Sequence, residues 1–201
     1  VVAASRMDAV FRPSTSGELK TAITSWCNGN RADNISEWDL QDITDLSAAL
    51  KNKGACNPYI DTWNVSRVTT MNGAFMGASS FDSPLDSWDV SSVTTMDQMF
   101  SSASAFNQPL SSWNTGSVTN FGWMFYGTTA YNQDLSAWDV SSSTRMTGMF
   151  TNNVAMSDCN KKATGESWNA QGKNINSWHT VYAATPCTPS PPPPLPPSPS
   201  P

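Results

Sequence analysis

The sequence predicts an α/β repeat protein, a right-handed solenoid of about five to six coils, each made of a strand and a short helical turn. Three observations lead to this prediction. A Trp recurs at every twenty-fifth position, the apolar positions around it keep their spacing, and Ser, Thr, Asn and Asp fill much of the rest. Periods of about 20 to 50 residues are typical of stacked repeats. The Trp column consists of Trp38, Trp63, Trp88, Trp113 and Trp138.

The first part of each unit predicts the strand. It reads L-x-x-W-x-V, which is the spacing of a leucine-rich-repeat strand, in which alternate side chains point inward. The Trp column should therefore lie in the core rather than form an exposed row that stacks on sugars. The position three before each Trp is filled by Ile35, Ile60, Leu85, Leu110 and Leu135.

The second part of each unit predicts a short helical turn. Apolar residues between Val93 and Ala103 recur at steps of three and four, which places them on one helical face. A Thr column precedes this segment, and we expect each hydroxyl to cap the helical turn. An Asn/Asp column is expected to close the return bend through side-chain-to-backbone hydrogen bonds. The Thr column is Thr44, Thr69, Thr94, Thr119 and Thr144, and the Asn/Asp column is Asn57, Asp82, Asn107 and Asn132.

The chain divides into three regions. Residues 1–13 form an N-terminal extension, and residues 14–187 form the capped leucine-rich-repeat-like solenoid. Residues 188–201 form a Pro/Ser-rich tail, for which polyproline II is the expected conformation because Pro fixes φ and lacks an N–H.

Both ends of the repeat array need caps, because the last units would otherwise expose apolar faces. A cap helix is predicted at about residues 15–28, with Thr15 and Glu18 as a capping-box pair. Coils are predicted to begin at residues 35, 60, 85, 110 and 135, followed by a modified last coil at 175 after an insertion at about 155–170.

The composition excludes several classes of partner. A net charge of −5 and a pI near 4.6 argue against nucleic acid and anionic membranes as partners. No apolar run approaches the roughly 18 residues of a membrane-spanning helix, so membrane insertion is not expected. The chain begins with Val rather than Met, which favours a processed product.

The four cysteines are predicted to form two disulfides, Cys27–Cys56 and Cys159–Cys187, each joining a cap to the repeats. Four free thiols or a metal site are the alternatives, although the chain has no C-x-x-C motif and a single His. Two disulfides would indicate an oxidising, extracytoplasmic compartment.

A ladder of acidic and amide side chains is the best catalytic candidate, and it is a poor one. Its members recur because the unit recurs, and no cleft is implied, although calcium binding along the ladder is an open alternative. We therefore expect no enzymatic activity, no cofactor and no resident metal. The ladder consists of Asp39, Asn64, Asp89, Asn114 and Asp139, and we expect it on the open strand face.

Two sequons make Asn34 and Asn64 candidates for N-glycosylation. Asn64 also belongs to the ladder, where an amide would relieve repulsion between stacked carboxylates. A structural role for Asn64 is therefore the competing interpretation.

The repeat resembles that of the BspA-type leucine-rich-repeat surface proteins. The matching pattern, W-D-V-S-x-V-T-x-M-x-x-M-F-x-x-A, runs from about Ile35 to Phe150, with departures at Thr115, Ser143 and Trp123. The resemblance implies a secreted or surface-displayed adhesion or structural protein, and it supplies no catalytic residues.

The tail, TPSPPPPLPPSPSP, resembles the hydroxyproline-rich glycoproteins of green-algal walls and matrices. That resemblance implies hydroxylation and O-glycosylation of Pro. A bare spacer and a docking ligand for another domain remain alternatives. The candidate modified residues are Pro189, Pro191, Pro192, Pro193, Pro194, Pro196, Pro197 and Pro199.

These observations favour a non-enzymatic structural subunit of an extracellular assembly, such as a surface filament, an appendage or a wall layer. Its expected partners are further copies of itself and glycans. The alternative is a monomeric adhesion or carbohydrate-binding module on a Pro-rich stalk, and a hydrolase using the Asp ladder is a distant third.

Overall fold

The computed structural model describes residues 10–173 and residue 187. This part of the chain contains two α-helices, α1 (Ser16–Cys27) and α2 (Asp158–Ala170), and a 3₁₀ helix at Ile35–Glu37. The repeat units between the helices consist of turns. Within residues 10–173, β-pairing is limited to isolated parallel bridges, one between each pair of neighbouring units: Asp45 with Thr70, Thr70 with Thr95, Thr95 with Asn120, and Asn120 with Arg145.

The predicted α/β solenoid of strands and helical turns is therefore wrong for the described residues. The backbone gives the reason, because two positions of each unit lie in the left-handed region, with φ between 55° and 70°. An α-helix requires φ near −63° at every residue. The left-handed positions are Ala48, Gly73, Gln98, Trp123 and Gly148, and four positions later Asn52, Gly77, Ser102, Gly127 and Asn152.

Each unit instead satisfies its backbone by bonding to the next unit. In each of the central units, four amides donate to carbonyl oxygens of the unit that follows. Phe75 N donates to Met99 O at 2.8 Å, and Phe100 N donates to Met124 O at 2.9 Å. Buried backbone groups must find partners, and these turns find them across the boundary between units.

The Thr column does not cap helices, contrary to expectation. From Thr69 onwards, each Thr donates both its amide and its hydroxyl to the carbonyl of the Thr one unit earlier. Thr94, for example, donates to Thr69 O from N at 2.9 Å and from Oγ1 at 3.1 Å. With no helix following it, the hydroxyl is available to strengthen this contact between units.

The core consists of columns of stacked aromatic rings that run through the units. Trp38 and Trp63 lie 6.2 Å apart between ring centroids, and Phe100 and Phe125 lie 5.6 Å apart, both pairs nearly parallel. All five Trp of the column are buried. Burial of each such ring contributes on the order of 2 to 3 kcal/mol.

Each indole N–H adds a hydrogen bond that points back along the array. Trp63, Trp88, Trp113 and Trp138 donate from Nε1 to the carbonyl of the residue 28 positions earlier, at 2.7 to 3.0 Å. The acceptors are the first residues of the preceding units, namely Ile35, Ile60, Leu85 and Leu110.

Helix α1 covers the N-terminal end of the array. Its N-cap is Thr15, whose hydroxyl accepts a hydrogen bond from Glu18 N. The Glu18 carboxylate reaches back to Ser14 N rather than to the N-cap amide of a capping box. Leu19 and Ile23 are buried against the first unit, and a disulfide joins Cys27 to Cys56.

Helix α2 covers the C-terminal end and lies where the sequence indicated an insertion. Trp168, on this helix, stacks on Trp138 at 6.2 Å and donates from Nε1 to Leu135 O at 3.1 Å. It therefore takes the next place in the Trp column, which the sequence analysis gave to a last coil at 175. Residues 174–186 lie outside the described part, so that coil is not observed.

Polar side chains of α2 and the following turn bond to the main chain of the last unit. Thr164 accepts from Leu135 N at 3.2 Å, and Gln171 bonds to both Trp138 O and Val140 N. Side chains thus replace the backbone partners that a further unit would supply.

The indole hydrogen bonds lead to a prediction about stability. Trp88→Phe removes an N–H that bonds Ile60 O, whereas Trp38→Phe removes an N–H that has no partner in the described structure. Both substitutions lose a similar volume from buried sites, but only Trp88→Phe breaks a hydrogen bond, whereas Trp38→Phe removes a buried donor that has no acceptor. Trp88→Phe should be less stable than Trp38→Phe by about 1 kcal/mol, measured by urea unfolding. Equal losses would contradict a stabilising role for these bonds.

Candidate functional site

The predicted ladder does not lie on a strand face. Each side-chain oxygen instead accepts a hydrogen bond from the amide two residues later and closes a turn within its own unit. Asp89 Oδ1 accepts from Ser91 N at 3.1 Å and from Ser91 Oγ at 2.6 Å, and Asn64 Oδ1 accepts from Ser66 in the same way. Such Asx turns are typical of Asp and Asn. The other members, Asp39, Asn114 and Asp139, each accept a backbone amide two positions on.

The electrostatics of the ladder suit turn closure rather than catalysis. The hydroxyl and then the amide of Ser91 hold the pKa of Asp89 below its usual value, and Ser141 does the same for the pKa of Asp139. A carboxylate with a lowered pKa is a weak base, so neither Asp is suited to general-base catalysis.

The phenol of Tyr131 is the other titratable group with a shifted pKa in the repeats. Burial, and then the charges of Asp134 and Asp86, raise the pKa of Tyr131. The phenol therefore stays neutral, and its ring stacks on Phe106 and Phe125 as part of the core.

The Asn/Asp column forms a second ladder that does connect units. Asn57 Oδ1 accepts from Asp82 N, Asp82 Oδ1 from Asn107 N, and Asn107 Oδ1 from Asn132 N, at 2.8 to 3.0 Å. Asn132 Oδ1 ends the series by accepting from Ser157 N, at the start of α2. The Oδ1 atoms of this column are therefore used to bond the backbone of the next unit.

The other predicted site residues are the four cysteines, the two sequon asparagines and the prolines of the tail. Disulfides join Cys27 to Cys56 and Cys159 to Cys187, with Cα atoms 5.4 and 5.3 Å apart, so all four cysteines are paired. Asn34 and Asn64 are exposed. The candidate hydroxyproline residues, Pro189 to Pro199, lie outside the described part of the chain.

No cluster of three or more metal-ligating side chains occurs within residues 10–173. Over the same residues, neither α-helix is long and apolar enough to cross a membrane.

An aromatic pocket between the third and fourth units is the best candidate for a ligand site. Trp123 is 39% exposed, and its ring meets Tyr126 edge to face at 5.5 Å. Gln98 and Ser101, which hold the equivalent positions one unit earlier, complete a cavity of about 220 Å³. The pocket thus combines two aromatic rings with an amide and a hydroxyl.

Trp123 has a left-handed backbone conformation at this surface. Its φ is +55°, and the equivalent positions in the second and fifth units hold Gly73 and Gly148. Gly148 lets the indole lie flat on the backbone, because a Cβ at that position would stand 2.5 Å from Trp123 Cε3. A bulky residue in this conformation is uncommon and costs about 1 kcal/mol or more.

A second pocket lies beside the N-terminal cap. Phe11 meets Trp38 edge to face at 4.7 Å, and its carbonyl accepts from Asp39 N at 3.0 Å. Trp38 Nε1 is buried there without a hydrogen-bond partner in the described structure. The cavity has a volume of about 240 Å³ and is lined by Val10, Phe11, Ala32, Asp33, Asn34, Glu37 and Trp38.

Sequence reasoning identified neither pocket, although signals for both exist. Trp123 is a large aromatic residue in a column that otherwise holds Ala, Gly and Gln. Val10 stands one repeat period before Ile35, so residues 10–12 continue the register of the repeat by a fraction of a unit.

Comparison with known families gives one match. The model of the family described as "Mycoplasma protein of unknown function, DUF285" matches residues 5–121 and 44–168. The chain belongs to this family. DUF285 is associated with BspA-like surface repeat proteins, which agrees with the resemblance of the repeat at the level of the family. No curated protein and no solved structure matches the chain.

The Asx turns predict how stability depends on pH. The folded-state pKa of Asp89 is lowered, so its contribution is fully present above the unfolded pKa of about 3.9 and is lost as pH falls through the folded value. Wild type should therefore exceed Asp89→Asn in stability at pH 7, and the difference should shrink towards pH 2. Urea midpoints at several pH values measure this.

Asp33→Asn is the matched control, because Asp33 is exposed and its side chain makes no hydrogen bond in the described structure. A difference between Asp89→Asn and wild type that stays constant from pH 7 to pH 2 would contradict the prediction.

Proposed function

We propose that the protein is a non-enzymatic structural subunit of an extracellular assembly. The observation that carries the proposal is that both caps of the repeat array carry disulfides: Cys27–Cys56 joins α1 to the first unit, and Cys159–Cys187 joins α2 to the chain that follows it. Disulfides persist in oxidising compartments, and fraying of a repeat array begins at its ends. This arrangement suits a durable protein outside the cell.

The polar side chains support a structural role. The ladder and the Asn/Asp column bond to backbone amides, so their carboxylates do not converge on a common point. The hydroxyls of the Thr column bond between units. Membership of a family associated with surface repeat proteins is consistent with the proposal.

Glycosylation is part of the proposal, and the structure favours one of the two sequons. Asn34 donates from Nδ2 to Glu37 Oε1 at 2.9 Å, so its amide nitrogen is engaged. Asn64 is exposed and its Nδ2 makes no hydrogen bond within residues 10–173, while its Oδ1 accepts from Ser66 Oγ at 2.8 Å. We therefore propose N-glycosylation at Asn64, and O-glycosylation of the Pro-rich tail.

Assembly is tested by electron microscopy of the purified full chain over a range of concentrations. Regular polymers or sheets are expected above a threshold concentration, because association is governed by mass action. The matched control is a chain ending at Cys187, which keeps both disulfides but lacks the tail and should give fewer or shorter polymers. Dispersed single particles at every concentration, confirmed by sedimentation, would overturn the proposal.

A carbohydrate-binding module is the second candidate, and the aromatic pocket favours it. The rings of Trp123 and Tyr126 can pack against the C–H face of a sugar, while Gln98 and Ser101 can bond its hydroxyls. The cavity of about 220 Å³ is smaller than the roughly 300 Å³ at which drug-sized pockets begin, so it suits a single ring.

A glycan array tests this candidate with Trp123→Gly. Gly occupies the same left-handed position in the second and fifth units, so the backbone tolerates the change. Loss of the indole should weaken binding by about 2 kcal/mol, roughly thirtyfold. Tyr59→Ala is the control, since Tyr59 is an exposed aromatic residue outside the pocket. Absence of any bound glycan, or equal binding by both variants, would exclude this function for the pocket.

A further inference from the structure

The backbone of Gly148 lies against one face of the Trp123 indole. A Cβ at position 148 would stand 2.5, 2.6 and 2.8 Å from Cε3, Cζ3 and Cδ2 of the indole. Three successive ring atoms at nearly equal distances place that point above the ring rather than beside its edge. Because Cβ atoms do not approach other heavy atoms within 3.0 Å, any side chain at position 148 would displace the indole.

The aromatic pocket lies on the other side of Trp123. Trp123 belongs to the fourth unit and contacts Gly148 of the fifth, whereas Gln98 and Ser101 of the third unit complete the cavity. Tyr126 meets the indole edge to face, with the two rings inclined by 69°. The indole surface that Gly148 leaves open and the Tyr126 ring are therefore adjacent walls of the cavity.

The polar groups of the cavity have unused hydrogen-bonding capacity. Ser101 is only 8% exposed, and its hydroxyl makes no hydrogen bond in the described structure. The Gln98 amide donates from Nε2 to Asp97 Oδ2 at 3.4 Å, which leaves its Oε1 free to accept. The Tyr126 hydroxyl also has no partner among the described residues. Polar groups in such surroundings take water or a ligand as their partner.

The cavity has the chemistry of a site for an uncharged sugar ring. Its four lining residues are uncharged, and the carboxylate of Asp97 bonds one of them, Gln98. A sugar carboxylate bound there would lose water without meeting a cation, which is costly. A neutral ring can place its C–H groups on the indole and its hydroxyls on Gln98 and Ser101, the usual division of labour between aromatic and polar groups in a small-molecule site.

We propose that Gly148 positions Trp123 for ligand binding: by holding one face of the indole, it leaves the rest of the ring as a preformed wall of a site for one uncharged sugar ring. The inference rests on the carbohydrate-binding candidate function, and it names the residue that shapes the pocket and the class of sugar. A preformed wall favours binding because less side-chain freedom is lost when the ligand arrives.

Fluorine NMR of the full chain labelled with 6-fluorotryptophan tests the class of ligand. The chain has nine Trp, and the Trp123 signal is the one that disappears in Trp123→Phe. Methyl β-D-glucopyranoside, methyl β-D-galactopyranoside and methyl α-D-mannopyranoside are titrated, each beside its uronate. At least one neutral glycoside should shift the Trp123 signal and leave the signals of the buried Trp column in place. Its uronate should bind more weakly by roughly tenfold or more.

Gly148→Ala tests the positioning, with Gly73→Ala as the matched control. Both glycines lie in the left-handed region, with φ of +66° and +58°, so both alanines carry a similar backbone strain. A Cβ at position 73 would meet only Met76, at an ordinary 3.6 Å. Gly148→Ala should therefore shift the Trp123 signal of the free protein and weaken binding of the neutral glycoside roughly tenfold. Gly73→Ala should change neither.

A double-mutant cycle measures the same contact without a ligand. In urea unfolding, Gly148→Ala should lower the midpoint more than Gly73→Ala does, because only Gly148→Ala also displaces a ring. In a Trp123→Gly background the two alanine substitutions should lower the midpoint equally. An excess loss for Gly148→Ala that persists without the indole would refute the positioning role.

The outcomes separate the inference from the function on which it rests. If no neutral glycoside shifts the Trp123 signal, both are rejected. If a glycoside binds, and Gly148→Ala and Gly73→Ala bind it equally well, the positioning role is rejected and carbohydrate binding is kept. Equal binding of the glycoside and its uronate would reject the assigned class of sugar.

Discussion

The structure depends on hydrogen bonds between units, because no unit can satisfy its own backbone. Each segment of turns directs amides to carbonyls of the following unit, while the Thr column bonds in the opposite direction along the chain. Side chains add further bonds between units, through indole N–H groups and through the side-chain amide oxygens of Asn and the carboxylate oxygens of Asp. A single unit in isolation would leave these groups to water and would lose its stacked rings, so stability belongs to the array.

This dependence explains the construction of the two ends. At the C-terminal end, α2 supplies a Trp ring and polar side chains where another unit would supply backbone. At the N-terminal end, α1 covers the apolar face and the 10–12 segment bonds Asp39, but Trp38 is left with an unused donor among the described residues. At the C-terminal end, side chains thus bond main-chain groups of the last unit, whereas at the N-terminal end the Trp38 indole N–H has no acceptor among the described residues.

The sequence predicted what depends on apolar spacing and missed what depends on backbone conformation. The repeat period and the inward Trp and Phe columns follow from side-chain identity, and the structure buries them. The prediction of a helical turn was wrong because Met and Phe at steps of three and four also fit a chain of turns. A left-handed backbone conformation distinguishes a chain of turns from a helix. Gly at some of these positions indicates that conformation in the sequence, whereas Gln98 and Ser102 do not. The ladder was misread for a related reason, because an Asx turn and a strand ladder place Asp at the same period.

The fixed offset of the hydrogen bonds between units has a consequence for how such a chain can change in length. The backbone hydrogen bonds between the central units join the same pairs of positions at each boundary, so duplicating or deleting one whole unit restores each of these amides to an equivalent acceptor. A short insertion inside a unit shifts all later amides out of phase unless it bulges out as a loop. Recombination between repeats is therefore a conservative event for this fold, whereas a small internal insertion is a disruptive one. Length would vary among relatives in steps of one repeat.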